Sequence, residues 1–124
     1  MDNKTLQNTI CKALADMKAK DIRVFDTHEI TSEFDTVVIA TATSGRHTRA
    51  LGHAVARAVK DAGGSVLSIE GLETGEWVLV DCGKAIAHIM QEAARSYYAL
   101  EEIWGDKPVV LAMLKDALKE DPEK

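Results

Sequence analysis

Residues 77–90 read WVLVDCGKAIAHIM, and this stretch decides the fold. Two apolar runs flank Gly83-Lys84, and a two-residue loop that begins with glycine is typical of a type II′ β-hairpin. Such a loop fixes the register of the two strands that it joins. The predicted pairs are Cys82 with Ala85, Asp81 with Ile86, Leu79 with His88, and Trp77 with Met90. The stretch therefore predicts an antiparallel hairpin with one defined pairing.

The predicted register divides the hairpin into two faces, because side chains alternate along a strand. The small face is wholly apolar and suits tight packing in a core: it carries Val78, Val80, Cys82, Ala85, Ala87 and Ile89. The mixed face combines large apolar with ionisable side chains: it carries Trp77, Leu79, Asp81, Ile86, His88 and Met90. Two interpretations of Trp77 stay open. It anchors a partner, as tryptophan often does at binding hot spots, or it is core beneath a covering helix.

The periodicity of apolar residues predicts the elements around the hairpin. We predict helices over 4–20, 46–62, 92–104 and 109–119, and further strands over 22–25, 36–41 and 65–69. Thr43-Ser44-Gly45 offers the cap of the second helix, and Gly63-Gly64 ends it. The strand–helix–strand unit over 36–69 should be parallel. The sum is a mixed α/β (α+β) fold, a five-stranded mixed sheet flanked by helices.

The first and third predicted helices carry further patterns. The run Lys18-Ala19-Lys20 places cations near the C-terminus of the first helix, where the helix dipole favours them. Along one side of the third helix lie Ala93, Tyr97, Leu100 and Trp104, which we predict to face the core. Tyr98 falls off that stripe, so it is either exposed or packed on the edge of the sheet.

Length and composition place the chain among ordinary globular proteins. With 124 residues, 46% of them hydrophobic and 28% charged, we expect one domain over 1–124, of which 105–124 form a C-terminal helix and tail. The start of the chain lacks a signal-peptide pattern and no apolar run is long enough to span a membrane, so we expect a cytoplasmic protein. Cys11 and Cys82 should then be reduced, buried thiols.

The formal net charge of −5 bears on the choice of partner. A sequence-independent nucleic-acid binder needs a basic footprint, so we expect no direct nucleic-acid readout. A local basic patch is nevertheless possible where several cations follow one another along the second helix: Arg46, His47, Arg49, His53 and Arg57.

Motifs for catalysis or cofactor binding are missing from the sequence. It has no glycine-rich phosphate loop, and its histidines and cysteines show no metal-ligand spacing. Cys82 and His88 lie on opposite faces of the hairpin, which argues against a nucleophile pair. Asp81 lies diagonal to His88 on the mixed face, where a hydrogen bond between them is feasible. We therefore expect no catalytic residue, no metal and no cofactor.

Two acidic pairs keep an enzymatic alternative open. Glu33 with Asp35, and Asp121 with Glu123, have the oxygen ligands that a divalent cation for phosphoryl transfer would need. Neither pair has a phosphate-binding loop beside it, so solvated surface charge is the simpler interpretation. A metal-dependent, nucleotidyltransferase-like enzyme that uses Glu33 and Asp35 is the alternative function, and a dimeric adaptor without a ribosomal role is a third.

Several segments together resemble the ribosomal silencing factors, also called the RsfS or Iojap-like family. The resemblance covers about residues 4 to 105. The segments that carry it are FDTVVIATATSGRH at 34–47, EG at 70–71, WVLVDCG at 77–83, HIMQ at 88–91, and Arg95, Tyr98, Leu100, Glu101 and Trp104. After Gly83 the family commonly has an acidic residue, where this chain has Lys84.

The resemblance implies a binding protein rather than an enzyme. Members of this family bind the large ribosomal subunit through its L-fourteen-type protein, block joining of the small subunit and repress translation when nutrients are scarce. It also implies homodimers and a nucleotidyltransferase-like sheet without the catalytic residues. An acidic chain suits a basic protein partner. The candidate partner-binding residues are Trp77, Leu79, Asp81, Lys84, His88, Met90 and Tyr98.

Overall fold

The computed structural model describes residues 1–29 and 31–99, and this part of the chain forms three helices and five strands. In chain order the elements are α1 (Asn3–Asp16), β1 (Lys20–Asp26), β2 (Thr36–Ala42), α2 (Gly45–Asp61), β3 (Ser68–Glu70), β4 (Trp77–Asp81), β5 (Ala85–Gln91) and α3 (Glu92–Tyr98). The helix predicted over 109–119 and the tail after it lie outside the described residues.

The five strands form one mixed sheet in the order β1-β2-β5-β4-β3, which confirms the predicted fold. β2 and β5 are parallel, and the other neighbours are antiparallel. β3 therefore runs in the same direction as β2, as predicted, but the hairpin lies between them. The apolar run of β2 is buried on both faces, so it pairs with the equally buried β5, and the short, half-buried β3 is left at the edge.

The hairpin has the predicted register. Trp77 lies opposite Met90, and the pairs at Leu79 and Asp81 follow in step. The Cys82 amide donates to the carbonyl of Ala85 at 2.9 Å and closes the loop. Gly83 has a φ of +83°, in the left-handed region that only glycine enters without steric cost, and that is why the turn needs glycine first.

The two faces of the hairpin belong to two separate cores. The small face packs against buried residues of α1 and α2, which recur at helical spacing: Leu6, Ile10, Leu14, Leu51, Val55 and Val59. The mixed face belongs to a smaller apolar cluster on the other side of the sheet: Phe34, Val37, Ile39, Trp77, Leu79, Ile86 and Met90. α3 adds Ala94 to this second cluster.

The first helix ends earlier than predicted. α1 stops at Asp16 because Lys18 takes a left-handed φ of +63°, and its amide donates to the carbonyl of Ala15 at 3.0 Å. The next amide bonds to the carbonyl of Leu14 at 2.9 Å, which completes a Schellman motif. The run Lys18-Ala19-Lys20 therefore follows the helix instead of forming its last turn, which contains no basic residue.

The second helix is capped as predicted, and the strand after it is shorter. The Ser44 hydroxyl accepts a hydrogen bond from the His47 amide at 3.1 Å, and Gly63-Gly64 follows the last turn. The strand predicted over 65–69 is observed only over Ser68–Glu70, so Leu67 lies outside it and is 67% exposed.

α3 is rotated relative to the prediction. Ala93 and Tyr97, predicted to face the core, are exposed, whereas Arg95 is buried and Tyr98 lies against Trp77. The contacts of Arg95 and Tyr98 with the sheet set this rotation and outweigh the apolar spacing. The other predicted members of the stripe, Leu100 and Trp104, lie outside the described residues.

Candidate partner-binding site

The mixed face lies on the opposite side of the sheet from α1 and α2, and most of it is buried. Tyr98 is 41% exposed and Lys84 is also exposed. The other five candidate residues are each at most 8% exposed: Trp77, Leu79, Asp81, His88 and Met90. Trp77 is therefore part of the core, and the interpretation of its side chain as an exposed anchor is wrong. Of the seven candidates, Lys84 and Tyr98 are the ones that solvent reaches.

Trp77 and His88 form a buried polar contact within the mixed face. The indole Nε1 donates to Nδ1 of His88 at 3.0 Å, and the ring centroids are 5.7 Å apart. Because the indole is only a donor, Nδ1 must accept, and the imidazole is neutral with its proton on Nε2. This contact satisfies the polar atom of the tryptophan, which explains how the residue can be buried.

Asp81 bonds to the hairpin turn rather than, as predicted, to His88. Its carboxylate accepts a hydrogen bond from the Gly83 amide at 2.9 Å, so it stabilises the hairpin turn. Burial and, second, the negative charge of Asp81 raise the pKa of the neighbouring Cys82 thiol to about 11. Cys82 is therefore protonated at neutral pH, which argues independently against a cysteine nucleophile.

An aromatic cluster extends from Trp77 to the surface. The ring of Tyr98 lies 4.5 Å from that of Trp77, at an interplanar angle of 50°. Tyr97 meets Tyr98 edge to face at a centroid distance of 5.0 Å and is 82% exposed. Aromatic pairs in such tilted geometries are stabilising beyond their buried area. The buried tryptophan thus supports two tyrosines that solvent can reach.

Arg95 positions α3, and with it Tyr98, on the sheet. Its Nη1 donates to the carbonyl of Asp21 and to the Thr41 hydroxyl, both at 2.7 Å. Its Nη2 lies 3.5 Å from the Asp21 carboxylate. This buried guanidinium connects α3 to β1 and β2, so it fixes the orientation of the aromatic cluster. No spacing in the sequence indicates this role, because the contacts join residues far apart in the chain.

The other end of the hairpin forms a shallow cavity of about 410 Å³, lined by Glu33, Leu67, Asp81, Gly83 and Lys84. The carbonyl of Lys84 accepts hydrogen bonds from the amides of Asp35 and Thr36, at 2.8 and 3.1 Å, and this fastens the turn to the start of β2. At the usual rise along a strand, the turn lies about 20 Å from Trp77. The candidate residues therefore form a stripe along the hairpin rather than one pocket.

The acidic pair of the enzymatic alternative is not assembled into a metal site. The Asp35 carboxylate accepts a hydrogen bond from the Asn3 side chain at 2.8 Å, and Glu33 is exposed. Within residues 1–29 and 31–99, no three His, Cys, Asp or Glu side chains are grouped to hold a metal ion. The second pair, Asp121 with Glu123, lies outside the described residues.

Membrane insertion through a helix is not indicated either. None of the helices in the described part of the chain is both long enough and apolar enough to cross a bilayer.

Comparisons with known proteins agree on one family. A sequence model described as "Ribosomal silencing factor during starvation" matches residues 1–124. A Chromobacterium violaceum relative named ribosomal silencing factor RsfS is 41% identical over 105 residues, which cover 85% of this chain and 86% of that protein. A mouse relative named mitochondrial assembly of ribosomal large subunit protein 1 is 32% identical over 89 residues, covering 69% and 39%. A crystal structure from Chromobacterium violaceum superposes with a TM-score of 0.83 at 40% identity, covering 86% and 89%.

Proposed function

This chain belongs to the ribosomal silencing factor family, and we propose that it binds the large ribosomal subunit and sterically blocks joining of the small subunit. The docking partner is the L-fourteen-type protein of the large subunit. Repression of translation initiation under nutrient limitation follows from this block and requires no catalysis. The proposal includes action in the cytoplasm and a homodimeric state. The name of the mouse relative, which refers to the ribosomal large subunit, supports the choice of subunit.

The observation that carries the proposal is the exposed Tyr98 held on the buried Trp77. Tyrosine is enriched at protein interfaces, since it offers a large contact area with few rotatable bonds. Here the ring of Trp77 packs against Tyr98 and Arg95 anchors the helix that carries it, so little side-chain entropy is lost when a partner covers Tyr98. The buried members of the mixed face then act as the layer that supports Tyr98 and Lys84.

The charge of the chain segment that contains the proposed surface supports a basic protein as the partner. Residues 62–99, which contain the hairpin and α3, carry five acidic and two basic side chains. One side chain of each sign is buried, Asp81 and Arg95, so acidic residues also outnumber basic ones among those that solvent reaches. A protein that itself contacts ribosomal RNA is expected to be basic, so the two surfaces attract each other.

The first experiment measures co-sedimentation of the purified protein with large subunits and the yield of joined ribosomes. We expect binding and a lower yield of joined ribosomes. Tyr98→Ala should weaken binding by a factor of about 10 or more, as for a hot-spot aromatic residue. Tyr97→Ala is the matched control, because Tyr97 is more exposed than Tyr98 and its ring packs edge to face on Tyr98. No binding at low salt, or an equal loss in both variants, contradicts the proposal.

Lys84 provides a second test of the same surface. Lys84→Glu restores the acidic residue that is common in the family, and a basic partner should then bind severalfold more tightly, mainly through faster association. Lys12→Glu makes the same change of charge on α1, where the side chain is exposed on the opposite side of the sheet from the mixed face. A gain that both variants share, or weaker binding of Lys84→Glu, argues against a basic partner at the turn.

A further inference from the structure

A row of basic residues lies on the solvent side of α2. Arg46, His53, Arg57 and Lys60 are all exposed, and the side chain of Arg57 is 84% accessible. At 100° per residue these four positions fall within about 60° of one another around the helix axis. At the helical rise of 1.5 Å per residue the row is about 21 Å long. We call these four residues the α2 stripe.

The stripe differs from the patch that the sequence predicts. His47 is half-buried and held by two hydrogen bonds: its Nε2 donates to the carbonyl of Met17 at 2.8 Å, and its Nδ1 accepts from the Thr43 amide at 3.0 Å. Arg49 folds over the loop before β4, and its Nε donates to the carbonyl of Leu72 at 2.7 Å. Lys60, absent from the predicted patch, extends the row to the end of the helix.

Charge is divided unevenly over the molecule. α1 and α2 together contain six basic and two acidic residues, a net charge of +4, although the whole chain carries −5. The acidic residue within α2 is Asp61, whose carboxylate lies 3.8 Å from Arg57 in an exposed pair that solvent screens. The negative net charge therefore belongs to the rest of the chain, and the helical layer is a positive surface.

We propose that the α2 stripe binds the phosphate backbone of RNA. Two of its four members are arginines, whose planar guanidinium binds phosphate oxygens in a bidentate manner. Ala50 and Ala54, which lie beside the stripe, offer no large apolar side chain as a hot spot for a protein partner. Backbone contacts of this kind bind RNA without reading its bases.

A membrane surface fits the stripe less well than RNA does. A helix that lies on a bilayer inserts its apolar face among the lipids. In α2 that face is packed onto the sheet, with Leu51, Val55 and Val59 completely buried. RNA binding therefore uses a second surface, on the opposite side of the sheet from the mixed face. It does not depend on the proposed docking to a ribosomal protein.

The test measures fluorescence anisotropy of a labelled RNA duplex of about 16 base pairs, a length that a protein domain can span, over a series of salt concentrations. The variant Arg46→Gln, Arg57→Gln, Lys60→Gln removes three exposed cations from the stripe. The control Lys18→Gln, Lys20→Gln, Arg23→Gln removes three exposed cations elsewhere, and both change the formal net charge from −5 to −8. The logarithmic salt slope should fall by about three in the stripe variant and change little in the control.

Several results would overturn the RNA assignment. One is the absence of RNA binding by the unchanged protein at about 50 mM salt, where phosphate contacts are strong. An equal loss in both triple variants would mean that only the overall charge matters. Binding to vesicles that contain phosphatidylserine but not to vesicles of phosphatidylcholine alone, lost in the stripe variant while RNA binding is kept, would assign the stripe to anionic lipid headgroups. Because free RNA is used, these outcomes are separate from failure to co-sediment with large subunits. If the triple variant unfolds, Arg57→Gln alone should still lower the slope by about one.

Discussion

The two faces of one hairpin are specified in different ways. On the small face no side chain is larger than isoleucine, every residue is apolar, and two helices cover it. On the mixed face a tryptophan, a histidine and a carboxylate are almost as well buried, and each has a polar contact that satisfies it. On the small face, the size and shape of a side chain determine whether it packs well. On the mixed face, a side chain must also form a particular hydrogen bond.

This difference bears on function. The small face is covered by α1 and α2, so its side chains are not accessible to a partner. The mixed face continues outward into exposed side chains, because Tyr98 lies on Trp77 at one end and Lys84 lies beside the exposed Leu67 at the other. The mixed face therefore has buried polar groups at its centre and, at its two ends, exposed residues that are suited to binding.

Among the variants that test the difference between the two faces, we expect the largest loss of stability from Trp77→Ala. Truncation of a buried aromatic residue leaves a cavity and should lower the free energy of unfolding by about 3–5 kcal/mol. Here it also removes the indole donor from His88 and the support beneath Tyr98. Urea denaturation followed by circular dichroism measures the loss.

Leu67→Ala is the control for Trp77→Ala, because Leu67 is 67% exposed and should change stability by less than about 0.5 kcal/mol. If Trp77→Ala unfolds no more easily than this control and only loses ribosome binding, then Trp77 is an anchor for the partner rather than part of the core.

Trp77→Phe separates the hydrogen bond from the volume of the side chain. Phenylalanine keeps an aromatic ring against Tyr98 but leaves Nδ1 of His88 without the indole donor. We expect a loss of about 2 kcal/mol, mostly from the loss of this buried hydrogen bond and partly from the smaller ring. The double variant with His88→Leu should cost less than the sum of the two single changes. Strict additivity in such a cycle would mean that the Trp77–His88 contact contributes nothing.

The small face should respond to added volume instead. A Cβ at Gly52 would lie 2.8 Å from Cγ1 of Val78, which is fully buried. The gain in helix propensity from Gly52→Ala, about 1 kcal/mol, is smaller than the usual cost of overpacking, so we expect a net loss of about 1 kcal/mol. Val78→Ala should relieve the contact, and a double-mutant cycle measures the coupling. A stabilised Gly52→Ala variant would show that the helix can shift away from the sheet.

The sequence predicted best what local chemistry determines. The loop Gly83-Lys84 fixed the register of the hairpin, alternation then fixed its two faces, and Ser44 fixed the start of α2. These features depend on residues that are close in the chain. The mixed composition of one face correctly drew attention to it, but composition alone did not tell that Trp77 would find a buried acceptor in His88.

The features that could not be predicted depend on contacts between distant residues. The rotation of α3 follows from Arg95, which bonds to Asp21 and Thr41 across the sheet. The contact of His47 with the carbonyl of Met17, at the end of another helix, likewise removes this residue from the predicted basic patch. The end of α1 is a local exception: its Schellman motif places Lys18 in the left-handed conformation, for which glycine is the usual sequence signal.

The smallest expected effect concerns the reactivity of the two thiols. Cys82 lies on the small face. Its burial and, to a smaller extent, the negative charge of Asp81 raise its pKa from 9.0 to about 11. Cys11 is only half-buried, and its pKa is raised by burial alone. The thiolate is the reactive form, and at pH 8 only about one in a thousand Cys82 thiols is ionised. Iodoacetamide should therefore label Cys11 first, as mass spectrometry of tryptic peptides measures.

The burial of Cys82 also predicts how the free energy of unfolding depends on pH. Its pKa is higher in the folded protein, so the folded state holds this proton more tightly than the unfolded chain. The resulting stabilisation is present below pH 9.0 and is lost as the pH rises towards about 11. Cys82→Ala should remove that part of the decline, which urea titrations at successive pH values measure. If iodoacetamide alkylates Cys82 at pH 8 as fast as it alkylates Cys11, the small face opens to solvent. The small face would then not be the closed core that distinguishes it from the mixed face.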